Sequence, residues 1–168
     1  MNYTNSYGCT APTITNQAIT VNALPPAPTI TGSGVTSFCE GGSVTLTSST
    51  GNSYLWSTGA TTPGIEVTTS GNYSVKVSDA NGCQSASSDA VNVTVFSKPI
   101  ANAILVTDNS CNNAEPSMVK VNVTSGAEPF HYQWNGGITA DNDTISGLAA
   151  GGYFVTVTDA NNCTGVSN

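Results

Sequence analysis

Five cysteines are the most chemically reactive side chains of this 168-residue chain. Cysteine thiols in a small protein can bind a metal, stay reduced in a core or pair as disulfides. No Cys-x-x-Cys motif is present, and the single histidine, His131, is near no cysteine in sequence, so a zinc site is not indicated. Disulfides and buried free thiols remain as the two interpretations of Cys9, Cys39, Cys83, Cys111 and Cys163.

His131 is also the one imidazole available for acid–base catalysis. The alternation of "FHYQW" (130–134) places His131 on the strand face opposite Phe130, Tyr132 and Trp134. We therefore interpret it as a solvent-side strand residue. The sequence predicts no catalytic residues and a protein that is not an enzyme.

Four aspartates could offer oxygen ligands to calcium, namely Asp79, Asp141, Asp143 and Asp159. The glycine and the distal glutamate of an EF-hand loop are absent. Asp before Ala-Asn is typical of a turn in which the carboxylate accepts hydrogen bonds from its own backbone. We predict turn residues and no metal or cofactor, and calcium binding stays open.

Two tryptophans raise the question of a sugar-stacking platform. Trp56 and Trp134 lie in matching segments, "YLWSTG" (54–59) and "YQWNGG" (132–137). The tryptophan of this mid-domain strand packs in the core of immunoglobulin-like sandwiches. We therefore predict core positions for both, together with Tyr73 and Tyr153.

The elements that position these residues recur along the chain. "YSVKVSDANGC" (73–83) returns as "YFVTVTDANNC" (153–163), and a worn copy, "YTNSYGC", stands at 3–9. Each full copy reads as an alternating strand, a tight turn and a cysteine. No stretch has helical periodicity, and charged residues are only 8% of the chain. The sequence predicts an all-β fold of tandem antiparallel sandwich domains.

The repeat register predicts the domain boundaries. Residues 1–24 are the trailing strand of a preceding repeat with a Pro-rich linker, and residues 25–97 are a complete domain. Residues 98–168 are a second domain that lacks its last strand. We expect the chain to be a frame cut across a longer array of repeats. Below, 25–97 is called the first repeat and 98–168 the second repeat.

The same register suggests two bridges inside the domains, Cys39–Cys83 and Cys111–Cys163, with Cys9 unpaired. Loops of this size are stabilised by roughly 3–4 kcal/mol per bridge in the chain-entropy model. Disulfides persist in oxidising compartments, so we predict a secreted or cell-surface protein.

Charge and hydropathy exclude other classes of partner. Ten acidic residues against three lysines give a net charge of −7, so the chain has no basic surface for nucleic acid. No apolar run reaches the length that spans a membrane. The start "MNYTNSYGC" has neither the basic segment nor the apolar core of a signal peptide.

Residues 29–96 resemble the immunoglobulin-like (PKD-like) repeats of very large secreted proteins of Bacteroidota, through "FCEGGSVTLTSS" (38–49) and "YSVKVSDANGC". Residues 102–163 are similar to the SprB-type repeat, named for a giant adhesin of gliding bacteria, through "YQWNGG" and "DTISGLAAGGYFVTVTDANNC". The resemblance implies surface adhesins and accessory modules of secreted enzymes, exported by the type 9 system. Asp143-Thr144-Ile145 fits the pattern that Bacteroidota O-glycosylate, which makes Thr144 a candidate modification site.

Three functions remain as hypotheses. The first is a structural spacer segment of a surface adhesin or filament, whose partners are neighbouring repeats of the same protein. The second is a carbohydrate-binding or spacer module of a secreted polysaccharide hydrolase, with surface polysaccharide as the partner. The third is a subunit that forms a homopolymer by donor-strand exchange, with residues 10–22 as the donated strand.

Overall fold

A computed structural model describes residues 6–8, 21–107, 117–149 and 151–167, and the described residues contain strands, turns and no helix. The predicted all-β class is confirmed. The strands of the first repeat are β1 (Ile30–Gly32), β2 (Ser37–Cys39), β3 (Val44–Ser48), β4 (Ser53–Trp56), β5 (Gly64–Val67), β6 (Gly71–Tyr73), β7 (Val75–Ser78) and β8 (Val91–Phe96). Those of the second are β9 (Ala101–Thr107), β10 (Met118–Val123), β11 (His131–Trp134), β12 (Thr144–Ser146), β13 (Val155–Thr158) and β14 (Thr164–Val166).

The first repeat is a sandwich of two layers. One layer is the antiparallel sheet β1-β3-β5. The other layer consists of β2-β8-β6 and β4-β7, which are continuous because only Ser74 separates β6 from β7. The backbone N–H of Ser57 donates to the carbonyl oxygen of Ser74 at 2.8 Å. β2 pairs with β8 in parallel, whereas the other pairs of this repeat are antiparallel. This arrangement confirms the predicted immunoglobulin-like sandwich.

The second repeat reproduces most of that plan. β9-β10-β12 corresponds to β1-β3-β5, and β11-β13 corresponds to β4-β7. Among the described residues no strand takes the place of β8, and β14 pairs only with β13. Residues 151–153, the counterpart of β6, belong to no strand. The predicted trailing strand at 1–24 lies almost wholly outside the described residues.

Each repeat has its own hydrophobic core around a tryptophan. Trp56 is 2% exposed and Trp134 is 4% exposed, so the prediction that both are core residues is confirmed. Tyr73 is also buried, but Tyr153 is only partly buried. The difference has a local cause: Val91 of β8 pairs with Tyr73, and no described strand lies beside Tyr153.

The predicted bridge Cys39–Cys83 is wrong, and so is Cys111–Cys163, because Cys163 is bonded to Cys39. The two cysteines of the first repeat lie at opposite ends of the sandwich. Cys39 pairs with Phe96, the last residue of β8, whereas Cys83 follows the turn after Ser78. The Ser70 hydroxyl oxygen accepts a hydrogen bond from Val95 N–H, so Ser70 lies at the same end as Cys39. The extended chain from Ser70 to Ser78 then runs roughly 25 Å to the opposite end, where Cys83 lies. A disulfide needs its Cα atoms about 4.4–6.8 Å apart. Cys9 and Cys111 lie outside the described residues.

Replacing either tryptophan tests the independence of the two cores. Trp56→Ala and Trp134→Ala should each lower the free energy of unfolding by about 3–5 kcal/mol, because each leaves a large cavity. Hydrogen exchange should show lost protection mainly in the repeat that carries the substitution. Equal loss of protection in both repeats from either variant would contradict two separate cores.

Candidate functional site: the joint between the repeats

The Cys39–Cys163 disulfide connects the two repeats. Its Cα atoms lie 5.6 Å apart, and it spans 124 positions of sequence. Cys39 ends β2 at the trailing end of the first repeat, the end where β8 leaves it. Cys163 is fully buried and follows the turn between β13 and β14. The bond indicates an oxidising environment, as the sequence predicted.

The turn that presents Cys163 is built by Asp159. Asp159 Oδ1 accepts hydrogen bonds from the backbone N–H of Asn161 at 2.9 Å and of Cys163 at 2.8 Å. Asn162 adopts a φ of 62°, which asparagine tolerates better than most residues. The Asp159 side chain thereby fixes the position of the Cys163 backbone. This confirms the interpretation of Asp159 as a turn residue.

The equivalent turn of the first repeat has the same geometry. Asp79 Oδ1 accepts from Asn81 N–H at 2.9 Å and from Cys83 N–H at 2.8 Å. Gly82 takes the positive φ, at 81°. Cys83 is a free thiol and is partly exposed, whereas Cys163 is bonded and buried.

Asp159 has one further contact. Its Oδ2 accepts a hydrogen bond from the backbone N–H of Ala127 at 3.1 Å, and the residue is 2% exposed. Burial raises the pKa of Asp159, but the hydrogen bonds from Ala127, Cys163 and Asn161 outweigh it, so the pKa lies below the usual value. Asp159 therefore ties two loops of the second repeat together beside the disulfide.

The linker between the repeats is held on both sides. Glu40 N–H donates to the carbonyl oxygen of Phe96 at 2.8 Å, and the Ser125 hydroxyl donates to the carbonyl oxygen of Lys98. Pro99 is buried. A Cβ on Gly165 would overlap the carbonyl oxygen of Pro99, so glycine is needed there for the close approach of the two chains. The joint is therefore bonded and packed at several points.

The sequence indicates the junction by Pro99 in "FSKPIAN" (96–102), but sequence reasoning missed Gly165 as a part of this joint. A signal was present in the repeat itself, because Pro28 precedes β1 as Pro99 precedes β9, and both prolines are buried. Ser49 N–H donates to the Thr29 carbonyl oxygen as Thr124 N–H donates to that of Ile100. The end of a repeat where its first strand begins, here called the leading end, is therefore built alike in both.

The histidine lies apart from this joint. His131 Nδ1 and Asp141 Oδ2 are 2.8 Å apart, with 69% and 54% of their side chains exposed. The hydrogen bond from His131 and the one from Tyr132 N–H hold the pKa of Asp141 below its usual value. The prediction of a solvent-side His131 is confirmed. The pair joins β11 to the following loop.

Among the described residues no cluster of three or more His, Cys, Asp or Glu side chains could hold a metal ion. Asp143 accepts from the Thr144 hydroxyl at 2.9 Å and lies 3.6 Å from Lys120 Nζ. Thr144 is a partly buried residue of β12. The described part of the chain also has no helix long and apolar enough to cross a membrane.

Comparison with known proteins identifies no family for this chain. No protein-family model and no curated protein matches the chain. The human OSCAR ligand-binding domain aligns over 88% of this chain and 98% of that chain, with 13% identity and a TM-score of 0.36. A TM-score this low does not establish a shared fold, and the sandwich assignment rests on the strand pairing described above.

Replacing Asp159 tests its part in the joint. The Asn side chain of Asp159→Asn has one amide oxygen and one NH₂ group, but backbone N–H donors face it on both sides, so at least one partly buried N–H donor loses its acceptor. We expect the second repeat to lose about 1–3 kcal/mol of stability at neutral pH. The pKa of Asp159 is lower in the folded state than in the unfolded state. Ionised Asp159 therefore stabilises the fold at pH values above its unfolded-state pKa, and this stabilisation is lost as the pH falls through its folded-state pKa.

The measurement is thermal unfolding of wild type and variant between neutral and acidic pH. The gap in melting temperature should be largest near neutral pH and should close in acid. Asp79→Asn is the matched control, because its Oδ1 contacts can be kept by the amide oxygen. An equal loss in both variants at all pH values would contradict the role given to Asp159 Oδ2.

Proposed function

We propose that this chain is a structural spacer segment of a secreted cell-surface adhesin or filament. The observation that carries the proposal is the Cys39–Cys163 bond between successive repeats. A bond inside one domain would stabilise that domain only. A bond from the trailing end of one repeat to the leading end of the next fixes the distance between them, which is what a spacer requires.

The surface and the joint both support a mechanical role. The buried Pro99 and the bonds to Phe96 and Lys98 leave little freedom in the linker. Charged residues make up only 8% of the chain. We assign the repeats to the PKD-like and SprB-type kinds on the motifs given above, with neighbouring repeats as partners and type 9 secretion as the route of export.

A carbohydrate-binding role is less well supported. Stacking on a sugar needs an exposed aromatic face, and Trp56 and Trp134 are both buried. Each indole N–H donates to a backbone carbonyl oxygen, at 2.9 Å to Thr62 and 3.1 Å to Asn142. A place beside a polysaccharide hydrolase remains compatible with a spacer that binds no sugar and catalyses no reaction.

Pulling single molecules by the two chain ends tests the spacer role. In the oxidised protein the disulfide withholds 124 positions from extension, so only the residues outside 39–163 can lengthen. Reduction should increase the fully extended length by roughly 40 nm, at 3.3–3.6 Å per residue. The Cys39→Ser/Cys163→Ser double variant should show the long extension without reductant.

Two results would overturn the proposal. One is an oxidised wild type that extends as far as the double variant. The other is specific retention of the folded protein on a polysaccharide, measured by pull-down against a panel of surface glycans. Cys83→Ser is the control for thiol substitution, because Cys83 is a free thiol in the structure.

A specific groove favours a second candidate, a homopolymer formed by donor-strand exchange. In the first repeat Val93 of β8 is 1% exposed and completes the core. In the second repeat the corresponding place is a groove of about 330 Å³. It is lined by Ala103, Leu105, Ser117, Val119, Leu148, Ala149, Gly151 and Tyr153.

The chain carries a strand sequence that suits this groove. "TAPTITNQAITVN" (10–22) matches the segment that ends in β8, and Val21 is 88% exposed. A strand from a second copy could pair with residues 151–153 as β8 pairs with β6. Such contacts run head to tail and need not close, so they would form a filament.

Light scattering tests this candidate with the full chain and with a variant lacking residues 1–22. Polymers that form with the full chain and vanish on deletion would support strand exchange. A peptide of residues 10–22 should cap growth, and the same peptide with Ile14 and Val21 changed to Asp is its control. A monomer whose scattering mass changes neither on deletion of residues 1–22 nor on addition of the peptide would rule the candidate out.

A further inference from the structure

The two cysteines of the joint differ in their exposure to solvent. Cys163 is 0% exposed, whereas Cys39 is partly exposed at the end of β2. An external thiolate breaks a disulfide by attacking one sulfur, and the other sulfur leaves with the electron pair of the bond. Access to each sulfur therefore decides which of the two is attacked. In the folded protein that access exists on the Cys39 side.

The Cys163 side of the bond is held closed by its neighbours. Asp159 accepts a hydrogen bond from Cys163 N–H and another from Ala127 N–H, and it is itself 2% exposed. After Cys163 the chain enters β14, where Gly165 lies against the carbonyl group of Pro99. Hydrogen bonds and close packing thus fix the chain on both sides of Cys163, so this cysteine stays covered while the second repeat is folded.

The sulfur of Cys163 is also a poor leaving group in this environment. Cys163 N–H donates to Asp159 Oδ1 at 2.8 Å, so a buried carboxylate lies beside this cysteine. Burial raises the pKa of Asp159, but its backbone hydrogen bonds bring it below the usual value, so the group is ionised at neutral pH. A thiolate on Cys163 would be buried and close to a negative charge, and each condition raises the pKa of a thiol. A thiol with a raised pKa leaves slowly.

We propose that Cys39 is the site at which low-molecular-weight thiols such as glutathione modify the joint, and that Asp159 slows the release of Cys163. The inference deepens the proposed spacer function and rests on it, because the attacked bond is the tie between the two repeats. It assigns different roles to the two cysteines: Cys39 receives the adduct, and Cys163 is the leaving sulfur.

The reaction has two steps. In the first, the glutathione thiolate forms an S–S bond with Cys39 Sγ, the Cys39–Cys163 bond breaks, and its electron pair passes to Cys163 Sγ, which takes a proton from water. In the second, another glutathione thiolate attacks the glutathione sulfur of the adduct. The products are the two protein thiols and one molecule of oxidised glutathione.

The first step can reverse while the repeats stay together. The Ser125 hydroxyl donates to the carbonyl oxygen of Lys98, so the linker stays attached to the second repeat after the disulfide opens. The Cys163 thiolate then remains near the adduct on Cys39 and can expel glutathione to restore the bond. The joint therefore resists small thiols for as long as the second repeat is folded.

The test is reaction of the oxidised full chain with reduced glutathione at neutral pH. Samples are stopped at intervals with acid, unfolded, alkylated with N-ethylmaleimide and read by peptide mass mapping. We expect the early adduct to carry glutathione on Cys39 and the alkyl group on Cys163. Glutathione on Cys163 in a comparable amount would overturn the inference, because the buried sulfur would then be attacked as readily as the other.

Asp159→Asn tests the effect of the carboxylate on the leaving sulfur. If loss of the charge lowers the pKa of the Cys163 thiol by about one to two units and the rate follows with a slope of about 0.5, the first step accelerates roughly three- to tenfold. The adduct should still form on Cys39. An unchanged rate would show that Asp159 has no part in the release of Cys163.

Ile145→Ala is the matched control, because Ile145 is a buried core residue of the second repeat and its replacement leaves the Asp159 carboxylate in place. Both variants weaken the second repeat, so acceleration through unfolding alone would be as large in Ile145→Ala and would give adducts on both cysteines. That result would overturn the inference. The spacer role would stand, because the pulling experiment depends on the presence of the Cys39–Cys163 bond and not on the order in which its sulfurs react.

Discussion

The disulfide between Cys39 and Cys163 is the constraint on which the rest of this structure depends. A loop of 124 positions is long enough for the chain-entropy model to assign the bond about 5 kcal/mol. That stabilisation is shared, because the loop contains most of both repeats. Unfolding of either repeat leaves its ends still tied at the joint, which restricts the unfolded chain. The two cores are separate in packing but linked in their unfolded-state entropy.

The strands could be predicted from sequence because apolar and polar residues alternate along them, as burial of one strand face requires. Val75 and Val77 in one repeat, and Val155 and Val157 in the other, are buried at every second position as a half-buried strand requires. The turns could also be predicted, because Asp accepts hydrogen bonds from the backbone of its own turn and Asn and Gly tolerate a positive φ. The tryptophan cores followed from their place on β4 and β11.

The disulfide pairing could not be predicted in the same way. Repeat register shows which cysteines are equivalent, but it does not show at which end of a sandwich each one lies. Cys39 and Cys83 are in one repeat and yet face different neighbours, because the strand between them runs the length of the domain. A pairing between repeats fits the register as well as a pairing within them. The pairing between repeats is distinguished from the pairing within a repeat by the position of Cys39 beside Phe96, where the chain leaves the first repeat.

The two Asp-Ala-Asn turns show how one local sequence acquires two roles. Both hold a cysteine backbone with the same hydrogen bonds, so the turn itself is fixed locally. What differs is the surroundings: Asp159 also binds Ala127 and is buried, and its cysteine is covered, whereas Cys83 is partly exposed. The same local chemistry thus presents a cysteine at the leading end of both repeats, and the cysteine is bonded in the second repeat only. Whether the joint exists depends on a docked neighbour, which is why the properties of one repeat cannot be inferred from its own residues alone.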